Sequence, residues 1–332
     1  MKRLPSSLLI TGLLVVSLAA CAGSTGGLGS VPSPVSTPSA STEPSSPDLT
    51  PAPSESARPT EEPSQQPSSG PSTEPDVSST PDASTAATMI VRSYLVLGGS
   101  PGSAGLVPVL RIVPKTAAVG TAAMNALLKG PDPAVAREST MTTAIPDGTR
   151  LVGLAIKSGV ATVDLSTEFD SGGGSASLND RLAQVVYTLT QFSTVRSVVF
   201  QIEGRTVTVF GSEGIVLDGP VGRADYTAQL PAIFVDRPAF GAALSNPGEV
   251  SGNANVFEAT FRVAILDGSG ASIVDQQAMA TCGTGCRGTF DVALHYTVAK
   301  AQWGTLRVYD RSAKDGTPQD TRDYPVWLTP AS

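Results

Sequence analysis

The sequence predicts two folded domains of different classes, an α+β domain of two layers followed by an all-β sandwich. Three patterns predict this order. Strand and helix periodicities alternate over residues 88–225, only strand periodicity follows over residues 230–332, and Pro, Ser and Thr dominate the segment before residue 88. The folded part is long enough for two domains of ordinary size.

The N-terminal residues have the features of a secretory signal. Lys2 and Arg3 precede an apolar run that is too short to span a bilayer comfortably. The run closes on Leu18-Ala19-Ala20-Cys21, which resembles the lipobox of bacterial lipoproteins. The resemblance implies that residues 1–20 are a signal peptide and that Cys21 carries lipid, which anchors the protein to the outer face of the cytoplasmic membrane. The alternative is an ordinary cleaved signal with an incidental cysteine.

Residues 21–87 are predicted to form a disordered linker behind the lipidated cysteine. Prolines remove amide donors and large apolar residues are scarce, so nothing offsets the entropy of ordering. The linker is acidic, with Arg58 as its one base, whereas the chain from Thr88 onward carries 19 basic and 21 acidic side chains. Because this folded part has no basic stripe, the sequence excludes nucleic acid as an expected partner.

The first folded domain, residues 88–225, is predicted to be a sheet with two helices packed on one face. Strands are predicted at Met89–Leu97 and Leu106–Val113. A first helix then follows Thr116 as its N-cap and ends at Gly130-Pro131.

The second half of this domain is predicted from a hairpin and a further helix. Strands at Leu151–Ile156 and Val160–Leu165 flank the turn Lys157-Ser158-Gly159. Ser177-Leu178-Asn179-Asp180 is similar to a capping box and predicts the start of the second helix. Two strands joined by a turn at Glu203-Gly204 complete the domain.

A small acidic cluster, Asp164, Glu168 and Asp170, lies beside the glycine-rich segment 172–174. Paired carboxylates can act as general acid and base, so the cluster is a candidate catalytic site. The interpretation that the sequence favours is a strand ending in a solvated turn, because no nucleophile, second base or metal-ligand set accompanies the acids. The sequence predicts no cofactor and no metal site.

Several segments of the first domain occur in an order typical of one known family. They are Ala126–Pro131, Ile145–Thr149, Val160–Phe169, Thr188–Phe192 and Val198–Gly204. In this order they resemble the GerMN domain of sporulation and germination proteins, and the resemblance covers nearly all of residues 88–225. It implies a non-catalytic module that mediates protein assembly at bacterial envelopes. It also makes Gly130, Pro131, Gly148 and Asp164 structural positions.

Residues 230–332 show short strands and no convincing helical period, which predicts a β-sandwich. The predicted strands are Ala232–Val235, Val256–Leu266, Ser272–Thr281, Gly288–Val298, Leu306–Tyr309 and Tyr324–Leu328. Alternation puts Phe257 on the same apolar face as Phe261, and it puts His295, the only histidine, on a half-exposed face. Residues 218–229 are predicted to connect two independently folding domains.

The segments Trp303–Gly316 and Val326–Leu328 resemble the immunoglobulin-like domain of bacterial spore germination. In that family this domain often follows a GerMN domain. Trp303, Tyr309 and Trp327 are its candidate surface aromatics, although core packing is the predicted role of each because each lies in or beside a strand.

The remaining cysteines, Cys282 and Cys286, are predicted to form a disulfide. They flank Gly-Thr-Gly, which lets the chain fold back, and a bridge across so short a loop stabilises by about 2 kcal/mol. Zinc is the alternative, but a zinc site normally needs three or four ligands and the chain has one histidine.

These features predict a non-catalytic cell-surface lipoprotein that presents interaction modules at the envelope. Its predicted contacts are the membrane, through the lipid on Cys21, and an envelope protein or peptidoglycan. Two alternatives stay open. One is a cell-wall-active enzyme or accessory subunit that uses Asp164, Glu168 and Asp170, and the other is a passive structural spacer.

Overall fold

The structure is a computed structural model that describes residues 87–100 and 102–331. The predicted signal peptide, the predicted lipidation at Cys21 and the predicted linker up to residue 86 lie outside the described residues. Among the described helices, none is both long and apolar enough to cross a membrane.

The first domain is built from three small sheets and three α-helices. Its elements are β1 Thr88–Leu97, β2 Gly105–Pro114, α1 Val119–Leu128, α2 Pro133–Ser139, β3 Met141–Thr142, β4 Leu151–Lys157, β5 Val160–Leu165, α3 Ser175–Leu189, β6 Ser197–Ile202, β7 Arg205–Thr206, β8 Val209–Phe210 and β9 Ile215–Val216. The sheets have the strand orders β2-β1-β3, β4-β5-β6-β7 and β8-β9, and only β5 and β6 pair in parallel. Helices α1 and α3 pack on β1 and on each other. The predicted α+β class is confirmed.

The helices begin at other residues than the capping patterns predict. Helix α1 begins at Val119, and the Thr116 hydroxyl accepts a hydrogen bond from the Ala118 amide in a turn before it. Helix α3 begins at Ser175, two residues before the predicted capping box, and the Asn179 side-chain amide donates to the Ser175 carbonyl at 2.8 Å. Side chains of this type bond to any nearby backbone group, so a polar residue near a helix start marks its beginning only to within a turn.

Helix α2 was not predicted from the sequence, although its signals are local. Asp132 accepts a hydrogen bond from the Ala134 amide at 2.8 Å, and Pro133 occupies the first helical position. The helix ends at Thr140, which is left-handed with φ 56°. This short helix forms one wall of the cleft described below.

The predicted hairpin and glycine turns adopt the expected backbone. Lys157 pairs with Val160 across a two-residue turn, and Ser158 and Gly159 have φ of 52° and 85°. Gly130 ends α1 with φ 68°, a conformation that favours glycine.

The second domain is a sandwich of two sheets. Its strands are β10 Ile233–Arg237, β11 Ala243–Leu244, β12 Gly248–Ala254, β13 Thr260–Leu266, β14 Ser272–Met279, β15 Gly288–Leu294, β16 Gln302–Arg311 and β17 Pro318–Leu328. One sheet has the order β10-β12-β15 and the other β11-β17-β16-β13-β14. Phe261 and Phe290 meet in the core between them, with ring centroids 4.8 Å apart. The predicted all-β class is confirmed.

Phe257 and His295 of this domain are placed differently from the prediction. Phe257 lies in a short 3-10 turn before β13, not in the strand, and its side chain is 54% exposed. The positive φ of Glu258 breaks the alternation there. His295 follows β15 directly and is exposed.

Candidate functional site

The three acids of the predicted catalytic cluster anchor backbone and surface groups. Asp164 accepts a hydrogen bond from the Gly204 amide at 2.9 Å, and Asp170 accepts one from the Gly211 amide at 2.7 Å. Each carboxylate therefore ties a turn to the body of the domain. This is the structural role that the sequence favours.

Glu168 is held in its charged form. The hydrogen bond from the Ser166 hydroxyl lowers the pKa of Glu168, and Arg150, 3.8 Å away, lowers it further. A general acid at neutral pH needs a carboxyl whose pKa is raised, so the shift is opposite to what acid catalysis requires.

Arg181 forms hydrogen bonds to the start of the glycine-rich segment beside these acids and to the residues just before it. Its guanidinium donates to the carbonyls of Phe169, Ser171 and Gly172. Burial lowers the pKa of Arg181. The segment itself is exposed, and Arg181 ties its first residue, Gly172, to the body of the domain.

A charged cluster joins the two domains around Asp236 of β10. Its carboxylate accepts a 2.5 Å hydrogen bond from the Tyr94 hydroxyl and lies 3.3 Å from Arg92 and 3.6 Å from Arg223. Burial raises the pKa of Tyr94, and the Asp236 charge raises it further. The hydroxyl therefore stays protonated and donates to Asp236.

A second clamp is made by Arg322 of β17, which is only 3% exposed. Its guanidinium donates to the carbonyl of Ser103 at 2.6 Å, of Gly105 at 3.0 Å and of Leu106 at 2.8 Å. Burial lowers its pKa, and it lies 5.7 Å above the ring of Tyr324. A side chain of the second domain thus supplies hydrogen-bond donors to backbone carbonyls at the start of β2 and just before it in the first domain.

The third junction is made by main chain alone. The Phe240 amide donates to Pro108 at 2.8 Å, the Leu110 amide donates to Phe240 at 3.1 Å, and the Gly241 amide donates to Pro325 at 2.9 Å. Segment 240–241 therefore bonds to β2 of the first domain and to β17 of the second. We call it the seam.

The predicted connector, residues 218–229, is part of the packed structure and not a free linker. Val221 exchanges two backbone hydrogen bonds with Val198, and Tyr226 is buried. The helical turn Arg223–Gln229 packs on α3. The two domains therefore meet in a fixed orientation.

Between the domains lies a cleft of about 810 Å³, which we call the junction cleft. Its floor is apolar and includes Leu97, Val109, Met141, Phe240 and Pro325. Pockets of this size at domain junctions are typical binding sites. Both domains supply the lining, so the cleft exists only while they are joined.

Most of the charged groups that line the cleft already have partners. Arg111 donates to the Gly130 carbonyl at 2.6 Å, and burial lowers its pKa while the nearby Asp132 opposes that shift. Asp323 forms two hydrogen bonds of 2.7 Å with Arg307. Glu138 is exposed, and no ion pair of the described residues includes it. Asp132 on the same wall is also in no ion pair, but its carboxylate accepts the hydrogen bond that caps α2, which leaves Glu138 as the acid of this wall without a hydrogen-bond partner among the described residues.

Trp303 stands at the rim of the cleft. Its side chain is 54% exposed, and its indole meets Trp327 edge to face at 5.3 Å. The prediction of core packing is wrong for Trp303 because the odd-numbered residues of β16, up to Arg307, face outward while Leu306 and Val308 fill the core. Tyr309 is buried, as predicted.

The other predicted site residues lie apart from the cleft or beneath it. Cys282 and Cys286 are placed with their Cα atoms 5.8 Å apart and their sulfurs in contact, on the loop between β14 and β15. Gly130 accepts the hydrogen bond from Arg111, and Gly148 is left-handed with φ 81°. Within residues 87–100 and 102–331, no three Asp, Glu, His or Cys side chains are grouped as metal ligands.

Sequence reasoning missed the junction cleft. Its wall α2 had a detectable signal in Asp132-Pro133, and the exposure of Trp303 could be found by extending the alternation of Leu306 and Val308 backwards. The pairing of the two walls had no local signal. Glu138 on one wall and Trp303 on the other are 165 residues apart in the chain.

Known families match both domains. Residues 94–208 match Germane, described as sporulation and spore germination, and residues 232–317 match Gmad2, the immunoglobulin-like domain of bacterial spore germination. Both resemblances identified from the sequence motifs are confirmed. No curated protein sequence is significantly similar to the chain.

Solved structures are similar to parts of the chain. The tandem GerMN domains of the sporulation protein GerM from Bacillus subtilis share 16% identity at a TM-score of 0.36, over 63% of this chain and 62% of that one. The first GerMN domain of GerM shares 22% identity at 0.34, over 41% and 99%. A Clostridium perfringens protein described as a lipoprotein shares 18% identity at 0.30, over 42% and 89%. The chain thus spans less than two thirds of the tandem structure.

Proposed function

We propose that this protein is a non-catalytic envelope lipoprotein whose joined domains bind an envelope partner. The proposal is supported by the match to a Germane sporulation and spore germination domain followed by a match to the immunoglobulin-like domain of bacterial spore germination. The lipid on Cys21 holds it at the outer face of the cytoplasmic membrane. The partner is an envelope protein or peptidoglycan.

The observation that carries this proposal is the junction cleft. Three separate junctions, at Asp236, at Arg322 and at the seam, hold its walls in place before any partner arrives. A preformed site lowers the entropic cost of binding. A passive spacer would need neither a shaped cleft nor an exposed indole at its rim.

The engaged acids favour binding over catalysis. The carboxylates of Asp164 and Asp170 accept backbone hydrogen bonds, and the pKa of Glu168 is lowered. A cell-wall hydrolase acting through these groups would require at least one carboxyl that holds a proton at neutral pH.

The binding test uses the mature protein with Cys21→Ser, so that lipid does not interfere. Purified peptidoglycan and detergent-extracted envelope proteins are presented separately, and both retention of the protein and release of soluble product are scored. Retention on one of them without product is expected. Thr321→Arg places a long side chain in the cleft and should abolish retention, whereas Thr289→Arg, at an exposed position outside the lining, should not.

Two results would contradict the proposal. Equal retention of Thr321→Arg and Thr289→Arg would remove the cleft as the binding site. Product that disappears when Asp164, Glu168 and Asp170 are all converted to their amides would make the acidic cluster an active site.

Anchoring is tested separately in cells. With Cys21→Ser the protein should leave the membrane fraction, because no apolar helix among the described residues replaces the lipid. Membrane retention at the wild-type level would contradict a lipid anchor.

A further inference from the structure

We infer that the junction cleft binds an extended peptide segment in which a bulky apolar side chain is next to a basic one. The inference rests on the proposed function, because it takes the junction cleft as the binding site and names the chemistry of its occupant. The apolar side chain enters the cleft, and the basic side chain pairs with Glu138.

The floor of the cleft selects the apolar side chain. Leu97, Val109 and Met141 come from the first domain, Phe240 and Pro325 come from the second, and together they form an apolar recess. Burial of a large apolar side chain there removes its surface and that of the recess from water.

The polar lining disfavours a glycan. Sugar hydroxyls need accessible side chains with unused hydrogen-bonding capacity, but Asp323 is paired with Arg307. Arg111 donates through one terminal nitrogen to the Gly130 carbonyl, and its Nε has no partner but is buried. The two terminal nitrogens of Arg322 donate hydrogen bonds to three backbone carbonyls of the protein itself. Few groups are left to replace the hydration of a sugar ring.

Charge complementarity selects the neighbouring basic side chain. The exposed charged side chains of the lining are all acids, Asp132, Glu138 and Asp323, whereas Arg111 is half-buried and Arg322 is buried. Asp323 is paired with Arg307 and Asp132 caps α2, so Glu138 is the exposed lining charge that has no side-chain partner among the described residues. Glu138 and Trp303 line the same cleft from its two domains. An occupant that reaches the floor passes between an anionic wall and an exposed indole, and a cation is favoured beside each of them.

The peptide is held by side chains and not by strand addition. The edge of β2 inside the cleft is closed, because the seam already bonds to Pro108 and Leu110. Specificity therefore depends on the apolar and the basic side chain, not on a run of backbone hydrogen bonds.

Trp303 provides a direct readout. The chain has two tryptophans, so Trp327→Phe leaves Trp303 as the sole indole and keeps an aromatic ring beneath it. The probes are blocked synthetic tetrapeptides with the sequences Gly-Phe-Lys-Gly, Gly-Ser-Lys-Gly and Gly-Phe-Glu-Gly, together with chitotetraose as the glycan. Binding of the Phe-Lys probe should shift the emission of Trp303 to shorter wavelength.

The expected order of affinities follows from the two contacts. Loss of the apolar side chain should weaken binding by about tenfold or more. Reversal of the basic side chain should weaken it by about threefold, because the Glu138 pair is exposed to solvent. In the variant Glu138→Lys this second preference should reverse, so that the Phe-Glu probe binds more tightly than the Phe-Lys probe.

Calorimetry on the Trp303→Ala variant measures the contribution of the rim. Phe257→Ala is the matched control, since Phe257 is also 54% exposed but lies outside the lining. Only Trp303→Ala should weaken binding of the Phe-Lys probe. Equal losses in both variants would contradict a specific role of the rim.

The outcomes separate this inference from the proposed function. Tighter binding of chitotetraose than of any peptide would overturn the inference of a peptide ligand, and so would equal binding of the Phe-Lys and Ser-Lys probes. The proposed function would still be supported if Thr321→Arg blocks retention, because that result concerns the cleft and not the chemistry of its occupant. A blue shift of Trp303 that grows with protein concentration alone shows that a second copy fills the cleft, which also overturns the inference. Failure of every probe to bind refutes the inference.

Discussion

Replacement of Arg322 by Met should destabilise both domains together. Met keeps an unbranched stem of similar volume but removes the donors to Ser103, Gly105 and Leu106. Each buried carbonyl left without a donor costs about 1–3 kcal/mol. The total should lie near the lower end, at about 3 kcal/mol, because removal of the guanidinium also removes the cost of burying its charge.

Differential scanning calorimetry of residues 88–332, which we call the head, measures this loss of stability. For a unit of this size about 3 kcal/mol lowers the melting temperature by about 6–12 °C. The control is Arg307→Met, which breaks an ion pair with Asp323 that is well exposed to solvent, so it should cost less than about 1 kcal/mol. One transition is expected in wild type and in both variants, because the junctions couple the domains.

Two results would refute this reasoning. A melting temperature of Arg322→Met within about 2 °C of wild type would show that the clamp contributes little. Two separate transitions in the wild-type protein would show that the domains unfold independently, as the sequence predicts. The packed junction instead predicts that fragments 88–225 and 230–332, expressed alone, melt at lower temperatures than the intact head.

Two further predictions concern the remaining candidate residues. Mass spectrometry of unreduced protein should find both Cys282 and Cys286 blocked, and Cys282→Ser should cost about 2 kcal/mol, whereas two free thiols would contradict the bridge. Conversion of Asp164, Glu168 and Asp170 to their amides should leave peptide binding unchanged. Stability should fall only slightly, since an amide oxygen still accepts the backbone hydrogen bonds. Loss of peptide binding in a folded variant would contradict this prediction.

Local chemistry made much of the fold predictable. The turn at Ser158-Gly159 and the left-handed end of α1 at Gly130 follow from residues that are adjacent in sequence. Helix starts were less predictable, because Thr116 accepts an amide hydrogen bond in a turn before α1 and Asn179 donates to a carbonyl inside α3, so neither residue marks the first helical position. The strand assignment at Phe257 was wrong because two left-handed residues after it, Glu258 and Ala259, interrupt the alternation.

The candidate site was predictable only in its parts. The sequence contains Asp132-Pro133 and an exposed face of β16, but Glu138 and Trp303 line one cleft only because the two domains dock. Docking depends on groups such as Asp236 and Arg322, whose role appears once Tyr94 and the Ser103 carbonyl lie opposite them. Such pairs have no period or motif, so a single sequence does not reveal them.

The seam has a consequence for amide hydrogen exchange. The amide of Leu110 is bonded to Phe240, and the amide of Phe240 is bonded to Pro108, so these two protons are released to solvent only when main chain separates at the domain junction. In a protein with loosely linked domains, such junction amides exchange early, through low-energy local openings. Here they should be among the slowest to exchange, and their protection would report the lifetime of the cleft itself.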